Sequence, residues 1–416
     1  MIDWCRVLAA HSESPANITR VCLSDPMRLV HRDLSAWMTR LGMTTSIDAA
    51  GNLRGVRHAI PSSPGPLVPS SPGPLVPRSL GPFYLASHLD TVPDAGAFDG
   101  VLGVIWALAV VESLRDTPLP FDVEVIGFSD EEGVRFRTPF IGSRALAGTL
   151  DDDLLSCCDA AGVSLRDALV RFGADPSQRD RAIAPASAIG YLECHIEQGP
   201  VLEHLERPLA VVDRIAGQTR ADVTFVGAAR HAGTTPMSLR ADAVAAAAEW
   251  IGAVEAEATR VDGAVATCGR VEASPGAVNV IAGSCCVSLD VRHASDDTRT
   301  VLVETLRSRA QAIASRRGLH VEWTTRMDQA AVAMDASLTA ELVRAVECCG
   351  HIAAAMTSGA GHDAMIVATR MPAAMLFVRS PGGVSHHPDE RVVEGDVAAA
   401  IAVGRELLLG LAQRLA

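Results

Sequence analysis

One short stretch, Ser87–Gly103, concentrates side chains that could bind a metal. It carries His88, Asp90, Asp94 and Asp99 within twelve residues, between a predicted strand and a predicted helix. Carboxylate oxygens suit hard divalent cations and imidazole nitrogens suit borderline ones, so this mixture indicates a Zn or Mn site. A solvated acidic turn is the competing interpretation. The choice between the two depends on whether other segments of the chain supply further metal ligands.

A second cluster, Ser129-Asp-Glu-Glu-Gly-Val-Arg-Phe136, comes directly after an apolar run. Adjacent carboxylates repel one another, and a bound cation would offset their charge. Glu131 and Glu132 could then divide the work, one binding metal and the other holding a water as general base. A capping run before a helix is the alternative.

A third cluster, Glu193-Cys-His-Ile-Glu-Gln-Gly-Pro200, ends another apolar run. Strand alternation places His195 and Glu197 on one face and Cys194 on the other, which disfavours a Cys/His dyad. A structural histidine at a strand end is the alternative to a metal ligand.

Two glycine-rich loops complete the set. Gly382-Gly-Val-Ser-His-His-Pro-Asp-Glu390 contains His386 and His387, of which only one need be a ligand. Ser358-Gly-Ala-Gly-His-Asp363 contains Gly361, and glycines there permit close approach of the backbone to a ligand. A serine nucleophile is not indicated, because the chain has no Gly-x-Ser-x-Gly sequence.

The middle of the chain adds polar residues of another kind. His231 follows a predicted strand and precedes a predicted helix, while Asn279 and Arg292 flank a long predicted strand. A guanidinium group can bind a carboxylate through two hydrogen bonds, so Arg292 could hold a substrate carboxylate. A surface arginine is the alternative.

Strands have to position these clusters. Apolar strand-like runs alternate with helical ones, which predicts an α/β fold with a mostly parallel sheet. The strands concerned are predicted at Phe83–Ser87, Val123–Phe128, Gly190–Cys194 and Ala373–Val378. In open α/β sheets ligands bind beyond the carboxyl ends of the strands, so the clusters could converge on one crevice.

From Asp213 onwards the order of elements becomes β-α-β-β-α-β, the ferredoxin-like pattern. We therefore predict a catalytic domain in two parts, 1–212 and 329–416, with an inserted ferredoxin-like lid or dimerisation domain at 213–328. Residues 62–77 repeat one octapeptide with three prolines per copy, which forbids helix and central strand and predicts a surface loop.

Several element limits are predicted more closely. Asp25 is expected to cap a helix that Gly42 stops. The inserted elements are expected at Ala221–Val226 (strand), Leu239–Ala258 (helix), Ala264–Glu272 (strand), Val278–Val291 (strand), Asp297–Arg316 (helix) and Leu319–Thr325 (strand).

Composition limits the class of protein. The chain has 416 residues, 48% hydrophobic and 20% charged, as in an ordinary globular protein. A net charge of −13 argues against nucleic acid or an anionic membrane as the main partner. No apolar run is long enough to span a bilayer, and no signal peptide is visible. Three adjacent cysteine pairs are poor material for disulfides, which predicts a reduced, cytoplasmic protein.

Taken together, the five clusters resemble the M20-type metallopeptidase superfamily and, within it, the allantoate amidohydrolase and N-carbamoyl-L-amino-acid hydrolase branch. The resemblance runs from the first helix to the C-terminus, with the proline repeat outside it. It implies two divalent metal ions, Mn or Zn, in each subunit. The ligands that it implies, with Asp99 bridging the two metals, are His88, Asp99, Glu132, His195 and His386.

The resemblance also implies the other roles. Asp90 would orient His88, Glu131 would be the general base that activates water, and His231 would stabilise the oxyanion. His231 would reach the partner subunit's site, which implies a homodimer formed through the inserted domain. The substrate would contact Gln198, Gln218, Asn279, Arg292 and Gly361.

The sequence departs from the family pattern at three positions. Ala282 replaces a proline, which could loosen the turn after Asn279. Arg230 precedes His231 where a smaller or amide residue is common, which places a positive charge next to that imidazole in the sequence. His387 lies beside His386, although the Ser-His-x-Pro-x-Glu frame favours His386 as the ligand.

The resemblance implies a hydrolase of linear ureido C–N bonds whose small-molecule substrate bears a carboxylate. The run from Phe128 to Phe136 most resembles allantoate enzymes and favours allantoate over N-carbamoyl amino acids; ureidoglycolate is a further alternative. An aminoacylase or dipeptidase is disfavoured, since a carboxylate usually stands there where this chain has His195. A metal-binding protein without catalysis is disfavoured because it would not need Glu131.

Overall fold

A large mixed sheet carries the strand ends on which the metal-binding clusters were predicted. The computed structural model describes residues 1–60 and 80–415, so the proline repeat at 62–77 lies outside the described residues. The strands are β1 (Thr44–Ile47), β2 (Leu53–Arg57), β3 (Pro82–His88), β4 (Asp122–Phe128), β5 (Gly190–Ile196), β6 (Leu209–Ile215), β7 (Gly217–Val226), β8 (Arg230–His231), β9 (Val265–Thr267), β10 (Val271–Ser274), β11 (Val280–Ile281), β12 (Ser284–His293), β13 (His320–Gln329), β14 (Val332–Ala333), β15 (Ala354–Ser358) and β16 (Ala373–Val378).

Helices alternate with these strands. The α-helices are α1 (Ile2–Ala9), α2 (Asp25–Arg40), α3 (Val101–Ser113), α4 (Ile141–Ala147), α5 (Asp152–Ser156), α6 (Leu165–Phe172), α7 (Val201–His204), α8 (Ala243–Thr259), α9 (Asp296–Arg316), α10 (Ala336–Cys348), α11 (Asp363–Val367) and α12 (Glu394–Leu415). Short 3₁₀ turns occupy Pro176–Ala182, Met237–Leu239 and Pro381–Gly383. Within 1–60 and 80–415, no helix is both long and apolar enough to cross a membrane.

Four neighbouring parallel strands form the centre of the large sheet. Its order runs β1-β2-β4-β3-β5-β16-β6, with β4, β3, β5 and β16 parallel to their neighbours within this group and the flanking pairs antiparallel. These central strands are almost wholly buried, as expected where helices cover both faces. The predicted α/β class and the four strands are confirmed, with limits that differ by two residues at most.

A second, antiparallel sheet has the predicted ferredoxin-like order. Its strands run β10-β12-β7-β13, with β9 also paired to β12. Alternate residues of β7 and β12 are buried in a core shared with α8 and α9, and Trp250 fills the centre of that core. The β-α-β-β-α-β prediction is confirmed at the level of topology.

Two strands of this sheet are interrupted where single strands were predicted. The Ala264–Glu272 prediction was wrong because β9 ends at Thr267 and β10 begins at Val271. The Val278–Val291 prediction was wrong because Val280–Ile281 leave the sheet to pair with β8. The first break is local, because β9 and β10 both pair with β12 on either side of residues 268–270, whereas in the second case the pairing partner itself changes.

Two helix starts also differ from prediction. Ser24, not Asp25, caps α2, because its side chain accepts a hydrogen bond from the Met27 amide. Helix α8 starts after Asp242, whose carboxylate accepts from two amides of the first turn. The residues Met237–Leu239 form a separate 3₁₀ turn instead of the first turn of this helix.

The chain divides into two compact units, each with its own hydrophobic core. The first comprises Met1–Asp213, Met334–Met356 and Gly361–Ala416, and the second comprises Arg214–Ala333 and Thr357–Ala360. The assignment of the insert 213–328 as a lid or dimerisation domain stays a prediction.

Candidate metal centre

The carboxyl ends of the four central strands meet at one edge of the large sheet, and the predicted ligands follow them. His88 is the last residue of β3, and His195 is the next to last of β5. Glu131 and Glu132 come shortly after β4, and His386 lies in the loop that follows β16. The parallel arrangement therefore brings together residues that are far apart in the sequence.

Three overlapping groups of these side chains have the spacing of a metal site. In each group the ligand atoms lie within 4.8 Å of one another. The groups are His88, Asp99 and His195; His88, Glu131 and Glu132; and Asp99, Glu132 and His386. Among the described residues these are the groups with such spacing, and together they contain every predicted metal ligand.

Asp99 belongs to two of the groups and presents a different oxygen to each. Its Oδ1 lies 3.3 Å from His195 Nε2 and 3.9 Å from His88 Nε2. Its Oδ2 lies 3.1 Å from His386 Nε2, which is itself 3.5 Å from Glu132 Oε1. A carboxylate with its two oxygens turned towards separate ligand sets has the geometry of a bridge between two ions.

Gly100 allows this close arrangement. It has a φ of +65°, and a Cβ added there would lie 2.3 Å from His88 Cε1. A larger residue would therefore push either the His88 ring or the backbone of Asp99 out of place.

Asp90 contacts both His88 and the loop that carries Glu131 and Glu132. The His88 Nδ1 lies 3.0 Å from the Asp90 backbone oxygen and 3.4 Å from its carboxylate Oδ1. The carboxylate accepts hydrogen bonds from the amides of Glu131 (3.0 Å) and Glu132 (3.1 Å). One buried aspartate thus connects two of the strand ends that supply ligands.

Gln198, predicted to contact substrate, lies within the ligand cluster. Its Nε2 is 3.2 Å from Asp99 Oδ1, 3.0 Å from Ser385 Oγ and 3.4 Å from His386 Nε2. Gln198 and His386 both have positive φ, +60° and +55°. Such backbone strain in non-glycine residues is found where tertiary contacts hold a functional side chain in place.

Burial and mutual charge shift the titration of these acids. Burial raises the pKa of Glu131 well above its ordinary value, against the opposing effect of the neighbouring His88. Burial, followed by the charge of Asp99, raises the pKa of Glu132 to about 7. Burial would also raise the pKa of Asp99, but His386, His195 and His88 together lower it.

The imidazoles respond in opposite directions. Burial alone would lower the pKa of His88, but Asp90, Glu131 and Asp99 raise it well above the ordinary value. Burial lowers the pKa of His195 to about 4, whereas contact with Asp99 raises that of His386 to about 8.

This donor set fits two divalent cations. Imidazole nitrogens and carboxylate oxygens in one cluster are the ligands that Zn and Mn share. Several carboxylates are buried within one small volume, where a cation would offset their mutual repulsion. The Asp99 geometry provides for two ions.

Sequence reasoning missed Glu390, which holds the loop that carries Asp99. Glu390 is 5% exposed, and its Oε1 accepts from the amides of Phe98 (2.8 Å) and Asp99 (2.9 Å). Burial, followed by the charge of Asp99, raises the pKa of Glu390 to about 7. The sequence does contain a signal for this role, because Glu390 is the last residue of the Ser-His-x-Pro-x-Glu frame. The prediction used that frame only to favour His386 as a metal ligand.

His362 and Glu193 were also missed as neighbours of the centre. The His362 ring packs edge-on against His195, with the ring centroids 4.5 Å apart. Glu193 is fully buried and accepts hydrogen bonds from Ser87 Oγ, Tyr191 Oη and the Ala364 amide. Both residues support the strand end that carries His195.

The remaining residues of the acidic and histidine-rich loops have structural contacts. Asp94 accepts a hydrogen bond from Asn17, and its own amide donates to Thr19 Oγ1. His387 is exposed and lies beside Asp389, outside the three metal-like groups. Gly361 belongs to the first unit, and a Cβ there would lie 3.1 Å from the Phe140 ring.

The other predicted site residues belong to the second unit. Pairing of β8 with β11 brings His231 next to Asn279, whose backbone oxygen accepts from the Ala232 amide. His231 Nδ1 accepts from the Gly233 amide at 3.2 Å, which leaves the proton of the neutral ring on Nε2. The Arg230 guanidinium donates to the Leu239 backbone oxygen at 3.0 Å.

Gln218 and Arg292 lie opposite each other on β7 and β12. Both hydrogen-bond to the carboxylate of Asp290, a residue that sequence reasoning did not single out. Ala282 is buried, and its backbone oxygen accepts from the Ala243 amide at the start of α8.

The fold and the site together indicate the class of protein: an α/β protein with a candidate dinuclear metal centre at the carboxyl edge of its sheet. The sequence profile described as peptidase family M20/M25/M40 matches residues 84–410. N-carbamoyl-L-amino acid amidohydrolase of Geobacillus stearothermophilus is 36% identical over 96% of this chain and 93% of its own length. Allantoate deiminase of Arabidopsis thaliana is 37% identical over 93% of this chain and 75% of its own length.

A solved structure agrees with these relatives. The crystal structure of an amidase of the hydantoinase/carbamoylase family from Burkholderia multivorans has a TM-score of 0.88 and 28% identity, covering 99% of this chain and 97% of that one. The chain therefore belongs to peptidase family M20/M25/M40, in its hydantoinase/carbamoylase branch. It is an amidohydrolase acting on C–N bonds other than peptide bonds.

Proposed function

We propose that this protein is a dinuclear metal-dependent amidohydrolase that cleaves a linear ureido C–N bond in a small molecule bearing a carboxylate. The observation that carries the proposal is the shared position of Asp99 between two ligand groups, with Glu131 beside them. A two-ion centre with an adjacent free carboxylate is suited to hydrolysis at a carbonyl carbon.

The proposed ligands are His88, Asp99, Glu132, His195 and His386, with Asp99 common to both ions. Divalent ions bound there, Mn or Zn, would polarise the ureido oxygen and make water a better nucleophile at neutral pH. Asp90 would hold His88 and the backbone of Glu131 and Glu132 in their relative positions through the hydrogen bonds described above.

Glu131 would act as the general base. Its carboxylate would take a proton from the attacking water and return it to the leaving nitrogen. Its burial is consistent with this role, since a carboxylate whose pKa is raised is a stronger base than an exposed one.

Several further residues would bind the rest of the substrate. His231 Nε2 would donate to the developing oxyanion, an effect typically worth about 3 kcal/mol. Arg292 would hold the substrate carboxylate, with Asn279, Gln218, Gln198 and Gly361 as further contacts. We further propose that the protein is a cytoplasmic homodimer formed through the inserted domain, with His231 serving the partner subunit's site.

Allantoate is the first candidate substrate and an N-carbamoyl-L-amino acid the second. Curated relatives of both specificities match almost the whole of this chain with nearly equal identity. The Phe128–Phe136 run favours allantoate, and ureidoglycolate remains an alternative. An aminoacylase is disfavoured because His195, not a carboxylate, faces Asp99.

An assay of the metal-loaded protein on four compounds tests the proposal. Allantoate, N-carbamoyl-L-alanine and ureidoglycolate would be followed by ammonia release, and N-acetyl-L-alanine by acetate release. We expect turnover of at least one ureido compound and none of the acetyl compound. Faster acetate release than ammonia release would show an aminoacylase instead.

A further inference from the structure

The face of the second sheet that points away from α8 and α9 carries a charged cluster centred on Asp290. Asp290 and Arg292 are two residues apart on β12 and therefore point to the same face. Arg220 lies directly opposite Asp290 on β7, and Gln218 lies directly opposite Arg292. Buried residues of the same strands, such as Val291, point to the other face and into the core formed with α8 and α9.

Both oxygens of Asp290 are engaged within this cluster. Oδ1 accepts from Arg292 Nε at 2.9 Å. Oδ2 accepts from Arg292 Nη2 at 3.0 Å, Arg220 Nε at 2.9 Å and Gln218 Nε2 at 2.6 Å. Because a carboxylate only accepts, Gln218 has to turn its amide nitrogen towards Asp290, which fixes the orientation of that side chain.

A further hydrogen bond, to the backbone, helps to fix the position of the Arg292 side chain. Its Nη1 donates to the Gly359 backbone oxygen at 2.6 Å. A guanidinium group has five N–H donors, one on Nε and two on each terminal nitrogen. The three hydrogen bonds to Asp290 and Gly359 leave one donor on Nη1 and one on Nη2, a pair that matches the two oxygens of a single carboxylate.

We propose that Asp290 is the positioning residue of the substrate-carboxylate site, holding Arg292 and Gln218 so that the terminal nitrogens of Arg292 receive one planar carboxylate. This inference rests on the proposed function, in which Arg292 and Gln218 contact the substrate. With Arg220 and Arg292 against one Asp290, the cluster carries a net charge of +1, which is matched by a monocarboxylate.

The energetic role of Asp290 follows from its surroundings. Burial would raise the pKa of Asp290, but Arg292, Arg220 and Gln218 outweigh that effect and lower it, so the side chain is ionised at neutral pH. Without this charge, Arg292 and Arg220 would repel one another, and the long Arg292 side chain would have to be ordered by the substrate itself. That ordering cost falls on substrate binding and not on the chemical step.

The test compares Asp290→Asn with a matched control in metal-loaded protein. Asp222→Asn is the control, because Asp222 also lies on this face of β7 and also accepts from two arginines, Arg270 and Arg326. We expect Asp290→Asn to raise KM for N-carbamoyl-L-alanine at least tenfold, with kcat changed less than threefold. The control should leave both constants within twofold of wild type.

A neutral probe separates positioning from a general structural role. For N-carbamoyl-L-alaninamide, which lacks the carboxylate, Asp290→Asn should leave KM within twofold of the wild-type value. In an Arg292→Ala background, Asp290→Asn should raise KM for the acid by much less than it does in wild type, since Asp290 acts mainly through Arg292 and only Gln218 is left for it to hold. An equal effect on both probes, a full additional effect in the Arg292→Ala background, or no effect at all would overturn the proposal.

Calorimetric binding in a Glu131→Gln background, which removes turnover, keeps this result separate from the proposed function. A Kd for N-carbamoyl-L-alanine that Asp290→Asn weakens at least tenfold supports the positioning role even if wild type hydrolyses no ureido compound. An unchanged Kd in well-folded protein overturns it even if wild type is an active amidohydrolase. Asp290→Glu, which keeps the charge, is the second variant and should lose less affinity than Asp290→Asn.

Discussion

Asp99 and Glu131 are both buried carboxylates of one cluster, yet their surroundings suit them to different work. Asp99 faces three imidazoles, which lower its pKa and make it an anion fit for sharing between two cations. Glu131 has one imidazole and several carboxylates near it, and burial raises its pKa. Divergent environments of neighbouring acids are the usual mark of separate ligand and base roles.

Replacing Glu131 by Gln should therefore slow turnover strongly while the metals stay bound. The substitution keeps size and hydrogen-bonding capacity but removes the proton acceptor, so kcat should fall by a factor of about 10² to 10⁴. Steady-state kinetics together with metal analysis of the purified variant would measure this.

Glu132→Gln is the matched control for that experiment, since it alters the adjacent side chain. Because Glu132 is grouped with Asp99 and His386, its loss should lower metal content as well as activity. Near-normal turnover of Glu131→Gln with full metal content would exclude Glu131 as the base.

At the same scale, sequence alone identified residues that follow strands and missed those held by distant partners. His88 and His195 could be placed at the ends of predicted strands, and their role as metal ligands was implied by the resemblance to the M20 superfamily. Glu390 could not be given a role, because its partners Phe98 and Asp99 lie almost three hundred residues earlier in the chain. Asp290 was missed because the sequence does not show its cross-strand neighbours. Without them, an aspartate in a strand cannot be distinguished from an ordinary solvent-exposed residue.

At the scale of elements, hydrogen bonds connect the loop before α3 to the C-terminal part of the chain. Glu390 Oε1 bonds the Phe98 and Asp99 amides, and Gly96 lets Glu390 approach, since a Cβ on Gly96 would lie 2.3 Å from the Glu390 Cβ. The position of Asp99, the proposed shared ligand of both ions, depends on these hydrogen bonds.

Glu390→Ala should therefore weaken metal binding without removing any ligand. Loss of partners that hold a ligand typically costs ten- to a hundredfold in metal affinity. Glu390→Gln is the control, because its amide oxygen can still accept from both backbone amides, and its affinity should stay close to wild type. Competition with a chelator would measure both, and equal weakening in the two variants would mean that the charge of Glu390, not its hydrogen bonds, matters.

Strands buried on both faces were predictable, whereas interrupted strands were not. The sequences that form β3, β4, β5 and β16 are mostly apolar, with Glu124 and Glu193 as buried exceptions, which is close to the pattern of a central parallel strand. Val280–Ile281 and β12 were predicted as one strand, but Val280–Ile281 pair with β8 in a separate sheet, whereas β12 pairs with β7, β9 and β10. Hydrophobic periodicity indicates which residues of a strand are buried, but it does not indicate which other strand they pair with.

At the scale of the whole molecule, the two compact units have separate cores. The core of the first unit includes Trp106 of α3, and that of the second includes Trp250 of α8. All members of the three metal-like groups belong to the first unit. Metal binding is therefore expected to stabilise one unit directly and the other only through whatever coupling exists between them.

Calorimetric unfolding with and without metal should show this difference. A ligand that binds only the folded state stabilises it by about 4 kcal/mol when its concentration is a thousand times Kd. Adding MnCl₂ to chelator-treated protein should thus raise the unfolding temperature of the larger transition by several degrees and leave the smaller one nearly unchanged. His88→Ala, which removes a residue common to two of the metal groups, should abolish most of that shift. Equal shifts of both transitions would show that the units unfold as one, and a shift that persists in His88→Ala would place the stabilising ions elsewhere.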